Sequence, residues 1–294
     1  MSYPEFEKIE VSTKTIIAVT NWNLEIKKLF KILPITDYVL VPKRRGRKRK
    51  EEVKNPNADI KEGSIVTIKY QNKIRGVDLK GKKPSDKPGG YFRNSVTIVM
   101  HVDGKMINFK ISKNGKFQIT GCKYDHQAEK CLMFLWEYVK DTGLYECEKD
   151  PEVTFITVMT NIDFNLGFTV NREVLDEYIN TMTDYNSLLE TSFGYTGVNI
   201  KIPMISPCNI PLNKITYKDG SWVKTNILYK DYIETINEKD QKKEKTKVRY
   251  NTILAFQSGN IILSSMHVRT MEKTYEDFIN IVKQSRDQIE EKIF

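Results

Sequence analysis

The sequence predicts an α+β fold made of two copies of one half, each an antiparallel sheet with helices on one face. Three observations predict it. A strand followed by an amphipathic helix occurs twice, and so does a strand, glycine turn, strand and long helix. Within the strands, alternation places apolar side chains on one face and leaves the other without an apolar cover.

The strand–helix pair comes first. Ile16–Asn21 (IIAVTN) is similar to Ile156–Asn161 (ITVMTN). Helical patterns follow each, LEIKKLFKIL after the first and NREVLDEYINTM after the second. The hairpins come next. Ile111–Thr120 (ISKNGKFQIT) is similar to Ala255–Ser264 (AFQSGNIILS), and both read as strand, tight glycine-containing turn, strand. Each runs into a long helix. The first covers about 125–141, with Ala128, Leu132, Leu135, Trp136 and Val139 at helical spacing. The second covers about 270–292, with Tyr275, Phe278, Val282 and Ile289 on its apolar side. All of these stripes read as core. The expected division is residues 1–150, with a basic insertion at 42–90, and residues 151–294, with a hairpin insertion at 203–247.

Period-two alternation then sorts the strands. In the first half Val96, Ile98, Met100, Val102, Phe109 and Ile111 take the core side. Ser95, Thr97, Val99, His101, Asn108, Lys110, Ser112 and Asn114 take the open side, which is mostly polar. In the second half Val198, Ile200 and Ile202 are core, while Tyr195, Gly197, Asn199 and Lys201 face the other way. The turn at Gly259 puts Leu254 and Phe256 on the open side as well. Two readings of Tyr195 and Phe256 remain: burial under an insertion, or contact with bases.

The insertions have their own chemistry. Pro42–Lys50 reads PKRRGRKRK, and the stretch from Lys43 to Lys83 carries a basic excess about equal to the whole net charge of +9. Arg44, Arg45 and Arg47 resemble a short AT-hook, an arm that enters a narrow minor groove. The same run also fits a nuclear localisation signal or a solvated basic loop. Ser64–Lys73 reads as an extra strand and Lys80–Gly90 as a linker. Lys218-Asp219-Gly220 signals a hairpin turn, and the charged run Asn237–Lys247 reads as a solvated loop. Trp222 on that hairpin has two readings, a partner contact or packing on its own domain.

Composition narrows the function classes. The 294 residues are 39% hydrophobic with mean hydropathy −0.48 and pI near 9.1, a basic chain suited to a polyanionic partner. No apolar run is long enough to span a membrane, and MSYPEFEKIE lacks a signal pattern, which points to a reducing compartment. Cys122, Cys131, Cys147 and Cys208 form no CxxC pair. Cys122, His126 and Cys131 give three potential ligands at non-standard spacing, so buried thiols are expected and no metal. No nucleophile–histidine pair or phosphate-cradling glycine motif is present, so neither an enzyme nor a cofactor is expected.

The residues resemble the TATA-box-binding protein core in the divergent form found in large DNA viruses. Ile98–Trp136 follows the family's strand–strand–turn–strand–helix run, and Thr252–Val282 its second-repeat counterpart. Phe193–Ile202 (FGYTGVNIKI) fits the strand after the stirrup loop. The resemblance implies a saddle: two pseudo-repeats forming a curved antiparallel sheet, with helices on the convex face. The concave sheet would sit in the minor groove of AT-rich promoter DNA, where wedging aromatic rings kink the duplex. Phe256 matches one second-repeat wedge and Tyr195 falls where its partner would be; the first-repeat wedge positions fall on Ser95 and Ser112. Thr120 and Ser264 match threonines that touch bases, and Gln118 and Ile262 match the adjoining apolar contacts. The family's central asparagine pair falls on Thr15 and Phe155. Thr97, Lys110, Asn199, Lys201 and Leu254 complete the expected DNA face. The implied partners are double-stranded DNA, a transcription factor B-like protein and RNA polymerase, in the host nucleus, a cytoplasmic viral factory or the virion. The alternative is an adaptor or decoy that binds transcription factors without sequence-selective bending.

Overall fold

The computed structural model describes residues 3–41, 55–79, 94–190, 196–204 and 206–291. The chain divides into two compact units. The N-unit comprises Ile16–Ile156 and Asn213–Thr225; the C-unit comprises Met1–Thr15, Thr157–Leu212 and Asn226–Phe294. Two segments therefore lie in the unit opposite to the one chain order assigns them. Apolar packing explains both: Tyr3, Phe6, Ile9 and Val11 pack on the C-unit core, and Tyr217 and Trp222 on the N-unit core.

In the N-unit the strand order is β1 (Val11–Thr20), β7 (Lys116–Cys122), β6 (Lys105–Ser112), β5 (Ser95–Val102), β3 (Ile65–Tyr70), β4 (Lys73–Gly76). A separate two-stranded ribbon pairs β2 (Asn23–Leu24) with β8 (Tyr145–Glu146). In the C-unit the order is β9 (Glu152–Asn165), β15 (Asn260–Ser265), β14 (Tyr250–Phe256), β11 (Gly197–Pro203), β10 (Asn186–Glu190). The two sheet orders correspond strand for strand. β3 thus occupies in the N-unit the place β10 has in the C-unit, pairing with β5 as β10 pairs with β11. The strand expected as an extra one belongs to the repeat, and β4 is the addition.

Helices follow the same order. α1 (Ile26–Ile32) and α2 (Asp125–Val139) belong to the N-unit; α3 (Arg172–Met182) and α6 (Glu272–Ile289) belong to the C-unit. Asn171 caps α3 by accepting from the Val174 N–H at 3.1 Å. The Gln127 side chain accepts from the backbone N–H groups of Lys123 and Tyr124, which starts α2. Ala128, Leu132, Leu135, Trp136 and Val139 are buried against Val96, Ile98, Phe109, Ile111, Phe117 and Ile119 of the sheet. Tyr275, Phe278, Val282 and Ile289 close over Val198, Ile200, Ile253, Ala255, Ile261 and Leu263 in the same way. Burial of each such side chain stabilises by roughly 1.5–3 kcal/mol.

One device recurs in both units and fixes their correspondence. Gly115 (φ +70°) and Gly259 (φ +78°) turn the β6–β7 and β14–β15 hairpins. A Cβ at Gly115 would meet the Trp22 carbonyl oxygen at 2.3 Å, and one at Gly259 the Phe168 carbonyl oxygen at 2.2 Å. The Gly115 carbonyl accepts from the Thr20 N–H, and the Gly259 carbonyl from the Leu166 N–H. Thr20 therefore corresponds to Leu166 and Trp22 to Phe168. Ile16–Asn21 answers to residues 162–167, six further along than the 156–161 that sequence similarity suggests. The discrepancy has a physical basis. β9 is extended at its start, where Val153–Phe155 pair with β12 (Pro211–Lys218), and a slip of even length keeps every side chain on its face.

β12 and β13 (Ser221–Leu228) form the expected hairpin, with Asp219 (φ 51°) and Gly220 (φ 82°) at its turn. Trp222 packs edge-on against Trp136 with ring centroids 5.9 Å apart. The charged run expected as a loop contains instead helix α5 (Glu238–Thr246), after the short α4 (Tyr229–Thr235). Asn237 caps α5 through the Asp240 N–H, Lys243 and Lys245 occupy its last turn, and Glu244 and Gln241 tie it to Tyr229, Arg249 and the backbone of Glu234 and Ile236.

Candidate nucleic-acid interface

In each unit the helices cover one sheet face, and most side chains of the other face are half-buried or exposed. Register builds that face in rows. In the N-unit Ser95 stands opposite Ser112, Thr97 opposite Lys110 and Val99 opposite Asn108. Lys110 in turn faces Gln118, and Asn108 faces Thr120. Ser95, Thr97, Lys110, Ser112, Gln118 and Thr120 therefore share one surface, as alternation predicts. The face is less open than expected at one end, because Val99 is only 6% exposed and neighbouring Thr67 is buried. Two hydroxyls are engaged locally. Ser112 Oγ lies 2.8 Å from the Lys116 carbonyl and Thr120 Oγ1 lies 3.1 Å from the Asn108 carbonyl. Phe109 is fully buried on the opposite face.

In the C-unit Asn199 stands opposite Leu254, and Leu254 opposite Ile262. Lys201 faces Thr252, which faces Ser264. Gly197 faces Phe256, and a Cβ on that glycine would lie 3.5 Å from the Phe256 ring. The ring thus lies across a position with no side chain, half-buried rather than inserted in the core. Leu254 and Ile262 are likewise half-buried between fully buried neighbours. Since Ser112 corresponds to Phe256, the residue corresponding to Ser95 is Gly197 and not Tyr195. Tyr195, Arg44, Arg45 and Arg47 lie outside the described residues, as do the whole of Pro42–Lys50 and Lys80–Gly90.

Thr15 lies on β1, half-buried, with parity opposite to buried Ile16 and Ala18. Its counterpart is Asn161 rather than Phe155. Phe155 is 4% exposed and packs in the N-unit core beside β12. Asn161 stands opposite Ser264 on the open face of the C-unit. Sequence reasoning missed it together with Asp163 and Asn165, which share that face, and with Leu188 and Glu190 of β10. The signal was the alternation of buried Ile162, Phe164 and Leu166 along β9. Glu190 accepts from Asn199 Nδ2 at 3.1 Å.

Other chemistry is sparse. Among the described residues no group of three or more His, Cys, Asp or Glu is placed to hold a metal ion. Cys122 and Cys131 are buried thiols outside any disulfide, and burial pushes the Cys131 thiol well up. His126 instead lies 2.9 Å from Asp103, whose carboxyl is held below its usual range chiefly by a hydrogen bond from Lys130. A cavity of about 430 Å³ in the C-unit is lined by Met204, Tyr229, Ile233 and Arg249. Its polar groups satisfy one another: Arg249 bonds Glu244 and the Tyr229 hydroxyl, and burial pushes that phenol up. No described helix is long and apolar enough to cross a membrane.

No protein-family model matches the chain. Among curated proteins, it is 32% identical over 178 residues to a TATA-box-binding protein-like protein of Acanthamoeba polyphaga mimivirus. The chain resembles a TATA-box-binding protein-like protein of a large DNA virus. That match covers 49% of this chain and 47% of the mimivirus TATA-box-binding protein-like protein. An uncharacterized protein of Invertebrate iridescent virus 6 is 26% identical over 215 residues, covering 68% of this chain and 62% of its own length. The matched stretches thus span about half to three-fifths of these relatives. Among solved structures, Methanococcus jannaschii TBP is similar at 12% identity with a TM-score of 0.47, covering 96% of this chain and 99% of its own.

Proposed function

We propose that the protein is a non-enzymatic transcription initiation factor of TATA-box-binding type, which lays the open sheet face of each unit in the minor groove of promoter DNA. The observation that carries this reading is the open face of the C-unit. A sheet whose far side is sealed by α3 and α6 presents Phe256, Leu254 and Ile262 outward among polar neighbours. Apolar side chains on an otherwise solvated face call for a partner, and an aromatic ring beside Gly197, where no side chain stands, can wedge into a base step. Lys110 and Lys116 on the N-unit face and Lys201 on the C-unit face supply positive charge for phosphates. A transcription factor B-like protein and RNA polymerase are the partners this role requires, in the host nucleus, a viral factory or the virion.

One observation favours a second reading. Ser95 and Ser112 stand where wedge residues would be, so the N-unit face carries no aromatic group at these positions among the described residues. A sheet of that kind suits an adaptor or decoy that captures transcription factors. Mobility-shift titrations across promoter-like AT-rich and random duplexes separate the two. DNA recognition gives a preference of at least about tenfold that weakens steeply with salt. Equal, weak binding to every duplex overturns the initiation-factor reading and favours the adaptor.

A further inference from the structure

The open face of the C-unit carries a carboxylate that the DNA reading does not use. Asp163 stands opposite Ile262, in the row that continues through Leu254 and Asn199 to Leu188. It is exposed, and it makes no hydrogen bond or ion pair among the described residues. Its counterpart in the N-unit is Ile17, which carries no charge. Asn161 Oδ1 and Asn199 Oδ1, also without a hydrogen-bond partner among the described residues, are buried atoms and are not presented to a partner. The row thus sets one exposed, unpaired carboxylate beside the apolar Ile262 and Leu254.

Minor-groove chemistry makes that carboxylate informative. A·T and T·A pairs present only acceptors there, whereas G·C adds the guanine N2 amino donor. An unpaired carboxylate pressed against acceptors loses water and gains no partner. Against an amino group it makes a charge-assisted hydrogen bond. We infer that Asp163 is a specificity-determining residue that selects a G·C pair at one position under the C-unit, within an otherwise A·T groove. The inference rests on the DNA-binding reading and sharpens it. The preferred site is asymmetric, and the asymmetry orients the protein along the promoter.

The test moves a single G·C pair along an A·T duplex and repeats each position with inosine–cytosine, which keeps the major-groove groups but lacks the N2 amino group. Mobility-shift titrations are run on the full chain and on Asp163→Ala and Asp163→Asn. At one position the unsubstituted protein binds the G·C duplex about tenfold tighter than its inosine counterpart. Asp163→Ala brings the ratio to about one and tightens binding to the all-A·T duplex. Asp163→Asn keeps an acceptor without the charge and retains a reduced ratio. The guanine assignment is overturned, with DNA binding intact, if inosine substitution leaves affinity unchanged or raises it at every position. A ratio that survives in Asp163→Ala overturns the role of Asp163. Failure to prefer any duplex over random sequence overturns the DNA reading, and this inference with it.

Discussion

Phe256 and Ser112 occupy the same position of the repeated hairpin, each three residues before its turn glycine at Gly259 or Gly115. The backbone treats them alike, but their side chains cannot do the same work. A phenyl ring can enter a base step, whereas the Ser112 hydroxyl is already engaged with Asn114 and Lys116. Bending should therefore concentrate at the C-unit end. Phe256→Ala is expected to remove most of the bend, read by energy transfer between dyes at the ends of a bound duplex. Equal residual bending at both ends would sink that expectation. At this scale the open-face residues are largely legible in the sequence, because period-two alternation fixes which side chains share a surface. Asn161, Asp163 and Asn165 share that alternation with Ile162, Phe164 and Leu166, but their place in the repeat is not legible. Local similarity aligns the repeat on IIAVTN and ITVMTN, and only the packing of Gly115 and Gly259 reveals the six-residue offset.

The elements show what packing adds to pattern. The β12–β13 hairpin is anchored on α2 by Glu129, 8% exposed at its side chain, which accepts from Lys224 Nζ at 2.7 and 2.9 Å and from Asn213 Nδ2 at 2.7 Å. Tyr217 and Trp222 pack beside it on Trp136, at 5.1 and 5.9 Å between ring centroids. Lys224→Ala leaves Glu129 half-paired in a desolvated place, and should lower stability by about 1–2 kcal/mol. The urea midpoint should fall while its slope stays constant. An unchanged midpoint would show that the ion pair contributes nothing. The hairpin turn is legible from Asp219-Gly220, since both residues adopt positive φ. Its docking is not, because Trp222 and Lys224 read equally well as surface residues until α2 is in place. Helix α5 departs from its sequence reading for the opposite reason. High charge argues for a loop, yet a cap at Asn237, lysines in the last turn and the bonds of Glu244 to Tyr229 and Arg249 hold a helix that buries no apolar side chain.

For the whole molecule the decisive quantity is charge. The basic excess lies between Lys43 and Lys83, and the most concentrated part, Lys43–Lys50, lies outside the described residues. If this run neutralises phosphates, replacing its basic residues should flatten the dependence of log affinity on log salt by about 0.9 for each phosphate left unneutralised. An unchanged slope would exclude the run from the complex and leave a localisation signal or a solvated basic loop as its reading. By itself the sequence determined the α+β class, the order of the repeated elements, the glycine turns and the face on which most strand residues fall. These properties depend on neighbours a few positions apart, through backbone geometry and the burial of alternate side chains. Tertiary structure alone decided that residues 3–15 pack in the C-unit and 213–225 in the N-unit, that β3 belongs to the repeat, and that Asp163 stands unpaired on an open face. Those outcomes depend on packing between residues far apart in the chain, which no local pattern encodes.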